Sequence, residues 1–334
     1  MKLFDDMIHD KDNMAHNKNT VDFSIVMPVY FNEGSLFPTA EIFSKLLINR
    51  PDDLVGEVIF VDDGSLDHSL DELILIQSRF LYSIKVIKLT RNFGQGPATR
   101  AGFRHAQGRC VIVISADEQD PPELINDMLH GFFKEGYEVV ICTRQDRDES
   151  FFRKMTSMIF YGLMKKLSFP TMPKGGFDYY LLGRRALYEI LENNEYQPFI
   201  QGQIYWTGFN IKTIGYKRRS RKIGKSQFTF SKKLGLLLDG VLSFSFVPIR
   251  LASLFGVMVA LLGFCYAALV FVGWFLHGNP VQGWAPLMIV ILVLGGIQII
   301  TLGLIGEYLW RTLAQVRNRK SYLIDCIYEQ DKID

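Results

Sequence analysis

An α/β fold with a mostly parallel sheet, followed by a hairpin of two apolar helices, is the architecture this sequence predicts. Three observations lead there. Short apolar runs alternate with amphipathic stretches from residue 22 to about residue 141. Polar and acidic residues follow directly on four of those runs. Two long stretches without charge lie beyond residue 250. Strands alternating with helices imply crossover connections and parallel pairing.

The elements follow in order. Residues 1–21 are polar and charged with no long apolar core, unlike a signal peptide, and are expected to form a flexible arm. A catalytic-sized unit then runs over 22–230. Its predicted strands are Phe23–Val29, Val58–Val61, Ile84–Leu89, Val111–Ile114 and Glu138–Ile141. The helices between them are Gly34–Asn49, Ser69–Phe80, Gly96–Ala106 and Pro122–Glu135. Phe151–Leu167 mixes aromatics, Met and Lys/Arg, which suits a membrane-surface helix and core packing equally. Residues 231–249 read as an amphipathic juxtamembrane segment lying in the interface, with a core helix of the preceding unit as the alternative.

Leu251 to Leu276 holds 26 residues without a charge, and Ala285 to Gly306 another 22. Each exceeds the roughly 20 residues that cross a ~30 Å hydrocarbon core. They predict a transmembrane hairpin over 250–311, with spans at about 251–276 and 285–307 and a tail over 312–334. Trp274, Trp284 and Trp310 stand near the ends, where aromatic belts belong. Lys232, Lys233 and Arg250 precede the hairpin, Arg311, Arg317, Arg319 and Lys320 follow it, and the connecting loop has neither Lys nor Arg. That asymmetry predicts a multi-pass protein of the cytoplasmic (inner) membrane, with both termini and the large N-terminal part in the cytoplasm.

Composition excludes other classes. A net charge of +2 over 334 residues gives no nucleic-acid signal. Cys110, Cys142, Cys265 and Cys326 are far apart and form no CxxC pair, which argues against a disulfide framework or zinc and suits a reducing compartment. The six histidines show no metal-like spacing. There is no GxGxxG after the first strand and no GxxxxGK[ST], so neither a dinucleotide fold nor a P-loop is supported.

The polar strand ends carry the chemistry. The first strand ends in Pro28-Val-Tyr30-Phe-Asn32-Glu33-Gly34, the second in Val61-Asp62-Asp63-Gly64-Ser65, the third in Thr90-Arg91-Asn92-Phe93-Gly94. The fourth ends in Ser115-Ala-Asp117-Glu118-Gln119-Asp120-Pro-Pro-Glu123. Singly each reads as a turn; together they line the carboxyl edge of the sheet, where open α/β folds bind ligands. Carboxylate and amide oxygens at this spacing suit a hard divalent cation that carries a phosphate. Lys212 to Lys233 holds nine Lys/Arg and no Asp/Glu. Such a run either attracts anionic headgroups or captures the phosphates of a ligand, and the two overlap if the ligand is an anionic lipid.

The ordered motifs PVYFNEG, VDDGS, RNFGQGPATRAGF and ADEQDPPE resemble glycosyltransferase family 2. With the C-terminal hairpin, the chain is similar to the polyprenol-phosphate glycosyltransferases, the group that includes dolichol-phosphate mannose synthase and bactoprenol glucosyltransferase. The resemblance covers about residues 22–320. It implies a GT-A-type (Rossmann-like) domain that transfers a hexose-type sugar, with inversion, from a nucleotide-diphosphate sugar to polyprenyl (undecaprenyl) phosphate. A UDP-sugar is favoured, and a GDP-mannose-using transferase is the alternative. It implies that Pro28, Tyr30, Glu33, Asp62, Asp63 and Ser115 line the nucleotide site and that Asp117 and Gln119 hold Mg²⁺ or Mn²⁺. Asp178 would lie beside the reacting sugar as base or positioning group, and Arg218, Arg221, Lys225 and Ser226 would meet the acceptor phosphate, Arg221 and Lys225 also serving the reaction. A homo-oligomer through the membrane segments is expected. Ser115 departs from the family's usual Asp, which leaves a catalytically weak or silent sugar-nucleotide binder as a different expectation. A processive synthase is not expected, since more spans and a QxxRW motif would accompany it and the sequence has no such motif.

Overall fold

The computed structural model describes residues 21–48, 53–80, 82–145, 162, 172–173, 176–193, 199–219, 247–277, 283–317 and 319–329. The N-terminal arm, nearly all of Phe151–Leu167, the segment expected to lie in the interface up to residue 246, and Arg221, Lys225 and Ser226 lie outside the described residues.

Eight strands form one sheet: β1 Phe23–Val29, β2 Gly56–Asp62, β3 Ser83–Leu89, β4 Cys110–Val113, β5 Val139–Arg144, β6 Tyr179–Gly183, β7 Ile211–Tyr216 and β8 Ile324–Glu329. The helices are α1 Leu36–Ile48, α2 Ser69–Arg79, α3 Gln95–His105, α4 Leu124–Phe133, α5 Arg184–Glu192, α6 Ile200–Trp206, α7 Val247–His277 and α8 Trp284–Val316. The five expected strands and four expected helices of the first half are present, with ends displaced by a few residues. Strands β6 to β8 and helices α5 and α6 were not foreseen.

The order across the sheet is β7-β5-β6-β4-β1-β2-β3-β8. Pairing is parallel throughout except for β6, which runs against β4 and β5, and β8, which runs against β3. The chain builds outward from β1 through β2 to β3, then returns to the other side of β1 for β4. A crevice must open where the order reverses, at the carboxyl ends of β1 and β4.

Period-two alternation sorts the core into two layers. Phe23, Ile25, Met27 and Val29 of β1 face one side with α1, α2 and α4, packing on Phe43, Phe60, Leu73 and Ile112. Val26, Ile59, Val61, Val111 and Val113 face the other with α3 and α5, against Ala98, Phe103 and Leu187. Both faces being covered, the central strands read as mainly apolar runs. A buried carboxylate near the start of β2, Glu57, is satisfied at the opposite edge. Its Oε1 accepts from Ser24 Oγ at 2.5 Å and from the Gln107 amide at 2.7 Å, and the Gly108 amide donates to Ser24 Oγ at 2.9 Å.

The expected tail at 312–334 contains β8, which pairs with β3. Side chains fasten it: Lys85 Nζ lies 3.2 Å from Glu329 and Lys88 Nζ 2.6 Å from Asp325, and Gln77 Nε2 donates to the Tyr328 carbonyl at 2.7 Å. The two helices between β7 and β8 have 31 and 33 residues, roughly 45–50 Å at 1.5 Å per residue. Leu254, Leu261, Leu269, Phe275, Ile299 and Ile300 along them are exposed. Among the described residues one stretch, Val293–Val316, is long and apolar enough to cross a membrane, and Leu254–Gly263 is a shorter apolar run. Val293–Val316 belongs to α8; over its described residues the first helix of the hairpin, α7, is present but does not meet the same measure, so among the described residues one span is seen where two were expected.

Gly108 sits where a Cβ would meet the Phe23 backbone at 2.5 Å, a contact that no side-chain rotation relieves. Gly108→Ala is therefore expected to cost about 2 kcal/mol and to lower the melting temperature by roughly 4–8 °C, read by thermal unfolding of the detergent-solubilised protein.

Candidate active site

Pro28 shows why the crevice opens where it does. It lies in β1, past the last β1–β4 pair, Val26 with Val113. Its missing N–H therefore removes no ladder bond on that side. Beyond it Tyr30 and Phe31 turn out of the sheet, their rings edge to face at 4.5 Å, with Phe31 at φ 53°. The loop is stitched to the end of β2. Phe31 N donates to Ser65 Oγ, Asn32 N to Ser69 Oγ, and His68 N to Glu33 Oε2 at 3.3 Å. Glu33 and Tyr30 thus stand at the edge with Glu33 tied to the neighbouring loop.

Asp62 and Asp63 end β2, both buried. Asp63 Oδ1 accepts from Phe93 N at 2.7 Å and Oδ2 from Gly94 N at 2.9 Å, so its carboxylate braces the loop after β3. Gly64, at φ 68°, allows the chain to pass the Arg91 backbone, where a Cβ would come within 2.5 Å. Asp62 Oδ1 accepts from Ser65 N at 3.2 Å, and its Oδ2 is buried without a hydrogen-bond partner. Burial raises the carboxyl of Asp62 above its ordinary range and pushes that of Asp63 up to about 6.

The acidic cluster follows β4. Glu118 adopts φ 56°, a left-handed turn. Asp117 and Asp120 are nearly buried, at 8% and 2% exposure. Ser115 Oγ lies 2.6 Å from Asp117 Oδ1 and 3.0 Å from Asp120 Oδ2. The Ser115 hydroxyl thus stands between two carboxylates and can donate to either. Gln119 N lies 3.3 Å from Asp117 Oδ1, and the Gln119 carbonyl accepts from Arg219 N at 2.9 Å.

Three residues that the motifs did not single out complete the cluster. Tyr216, ending β7, donates to Asp120 Oδ1 at 2.5 Å. Arg144, ending β5, places Nε 3.5 Å from the Tyr216 hydroxyl and donates from Nη2 to Asp178 Oδ2 at 2.9 Å. Gln201 of α6 donates to Asp178 Oδ1 at 3.1 Å. Burial works against the Arg144 charge, yet Asp178 and Tyr216 hold its pKa above the ordinary value. Burial first, then Asp120, raises that of Tyr216. Asp178, Arg144, Tyr216, Asp120, Ser115 and Asp117 thus form one polar chain along the carboxyl edge. Arg218 lies over it, Nη2 3.8 Å from Asp117 Oδ2 and Nε 3.4 Å from Asp120 Oδ1.

Among the described residues no group of three or more His, Cys, Asp or Glu is placed to hold a metal ion unaided. Magnesium-type sites use one or two carboxylates and take the remaining oxygens from substrate phosphates and water. The donor set at Asp117 fits that kind of site and no closed protein cage.

Residues 24–191 match glycosyl transferase family 2, and 247–311 match the GtrB C-terminal hairpin. An uncharacterized glycosyltransferase of Bacillus subtilis, YkcC, is 35% identical over 92% of this chain and 94% of its own length. The SfII prophage-derived bactoprenol glucosyl transferase of Shigella flexneri is 34% identical over 90% and 96%. A solved glucosyl-3-phosphoglycerate synthase of Mycobacterium tuberculosis aligns with a TM-score of 0.46 and 18% identity, covering 66% of this chain and 80% of that one. The chain belongs to glycosyl transferase family 2: it is a glycosyltransferase with a GT-A-type fold.

A carboxyl raised in the folded state holds its proton more tightly than in the unfolded chain. The stability it contributes is present below the ordinary 3.8 and is lost as pH rises to about 6. Asp63→Asn abolishes that slope. The melting temperature of the variant minus that of wild type should rise between pH ~4 and ~6 and level off above. The acceptor lost to Phe93 or Gly94 offsets the whole difference by a constant. A difference flat across this range would contradict the assignment.

Proposed function

We propose that this glycosyltransferase moves a hexose-type sugar from a nucleotide-diphosphate sugar, most simply a UDP-sugar, to polyprenyl (undecaprenyl) phosphate at the cytoplasmic face of a membrane, with inversion. The observation that carries the reading is the convergence of β4, β5, β6 and β7 on one edge. There, buried carboxylates meet Arg218 at the head of a basic stretch, in a domain attached to the hairpin on both sides. Relatives named bactoprenol glucosyl transferase, similar over nine-tenths of the chain, support the same acceptor class.

In this reading an oxygen of the lipid phosphate attacks the anomeric carbon as the bond from that carbon to the nucleoside diphosphate breaks. The attacking group is already anionic, so a strong general base is not required. The demands are instead to offset anion–anion repulsion and to stabilise the leaving diphosphate. Asp117, with Gln119 beside it, would hold a divalent cation, Mg²⁺ or Mn²⁺, that supplies charge to the diphosphate. Arg218 faces the same edge, and Arg221, Lys225 and Ser226 belong to the stretch that follows it. Asp178 accepts N–H donors on both oxygens, which favours a positioning role over that of a base. Tyr30 and the β2 end would border the nucleoside, with Asp63 acting through the loop it braces and Ser115 through the carboxylates it bridges.

The membrane reading draws support from connectivity. Because β7 and β8 belong to one sheet, the intervening chain must return to the side it left, so any crossing is matched by a second. Two spans with the catalytic domain and both termini in the cytoplasm meet that condition, and the exposed apolar side chains of α7 and α8 suit lipid or further copies of the chain.

Two substitutions test the reading. Asp117→Asn should lower turnover by about a hundredfold or more, measured as nucleoside diphosphate released from UDP-glucose with undecaprenyl phosphate; near-normal turnover would remove Asp117 from the centre. Arg221→Ala should raise the apparent KM for the polyprenyl phosphate about tenfold while donor binding stays within about twofold. An unchanged acceptor response would take the basic stretch out of the site. Release of nucleoside diphosphate that needs no polyprenyl phosphate would reject the acceptor class.

A further inference from the structure

We infer that Arg218 is an internal counter-cation, which a divalent metal has to displace from Asp117, so that this guanidinium sets the metal affinity of the unliganded enzyme. The inference rests on the reading of Asp117 as the metal holder and adds a residue that acts against the metal.

Asp117 and Asp120 are two neighbouring carboxylates with side chains 8% and 1% exposed. Buried charges of one sign need compensation. Ser115 has a single hydroxyl proton and two carboxylates within reach, so it serves one at a time. Tyr216 supplies a neutral donor to Asp120. Among the described residues, Arg218 places a positive charge within 3.8 Å of both, and Arg144 adds to the field at Asp120.

Its contact differs from the tight ion pair nearby. Arg144 and Asp178 meet at 2.9 Å in a directed hydrogen bond. Arg218 stands 3.4–3.8 Å from its carboxylates, and its Nε is buried with no hydrogen-bond partner. It supplies charge without geometry, which is what an exchangeable counter-ion does. A magnesium-type ion would sit ~2 Å from a carboxylate oxygen, nearer to it than the guanidinium at 3.8 Å, and two cations sharing one carboxylate repel. Asp117 and Asp120 carry two formal negative charges and Arg218 one positive. Exchanging the guanidinium for a divalent ion takes the trio's carboxylates from a net minus one to neutral.

The backbone indicates that the side chain swings alone. Arg219 N donates to the Gln119 carbonyl at 2.9 Å, and the Arg219 guanidinium holds Glu123 at 3.1 Å. Residue 219 therefore stays fastened beside the acidic turn while the Arg218 side chain, 27% exposed, can leave toward solvent or a bound phosphate. Metal entry would in this way release a guanidinium at the position where phosphates arrive.

The test is Mn²⁺ binding to the full-length protein in detergent without nucleotide, with free Mn²⁺ followed by electron paramagnetic resonance. Arg218→Gln should bind Mn²⁺ about tenfold or more tightly than wild type, and Arg218→Lys, which keeps the charge, should stay within about threefold of wild type. An Arg218→Gln affinity that is unchanged, weaker or absent, while Asp117→Asn abolishes whatever binding wild type shows, overturns the inference and leaves the metal reading standing. Mn²⁺ binding that Asp117→Asn does not reduce, in wild type and Arg218→Gln alike, overturns the metal reading itself.

Discussion

The need to compensate buried carboxylates organises this molecule. At the carboxyl edge, Asp62, Asp63, Asp117 and Asp120 are all nearly inaccessible, and each imposes a constraint on the chain around it. Asp63 fixes the loop after β3 through two amides, Asp120 recruits the tyrosine that ends β7, and Asp178, reached through Arg144, draws in α6. Remove those partners and the cost of unpaired buried charge would force the edge apart. The site is thereby assembled from strands that are distant in sequence, and its geometry depends on the sheet order.

That dependence explains what could be read from the chain and what could not. Strands β1, β2 and β4 are mainly apolar between covered faces, β3 carries two lysines within its apolar run, and the polar residues that follow these strands announce the edge. Tyr179–Gly183 is five residues long, and Ile211–Tyr216 is a half-exposed edge strand with a glycine and a threonine; neither carries a strong period. Tyr216 and Arg144 end strands that stand side by side only because β5 pairs with β7 and β6. No spacing in the sequence signals that neighbourhood. Ser115 was legible as a departure from the family's pattern, but its place between two carboxylates was not. Asp63 was read as a nucleoside contact, whereas its oxygens are engaged by backbone amides.

The hairpin was legible from charge-free length, and its relation to the domain was not. Residues 312–334 were expected as a tail, with no strand in it. Its alternating Ile324-Asp-Cys-Ile-Tyr-Glu pattern, half exposed along its length, is that of an edge strand with one wet face. Seven residues, 317–323, separate α8 from β8, a reach of roughly 25 Å when extended. The sheet is thus held to the apolar helices at two points, through the basic stretch after β7 and through this short strap before β8.

β8 also bears on how the protein is made. The edge of β3 is complete only when residues 324–329 have been synthesised, and those come after both long helices. Until then a parallel sheet exposes an unpaired strand, the kind of edge that invites pairing with other chains. N-terminal parts of a chain fold first as it emerges, so the sheet would wait with that edge open while the two long apolar helices are being synthesised. Closure of the sheet by β8 would then report that both long helices have been made and that the chain has returned to the domain.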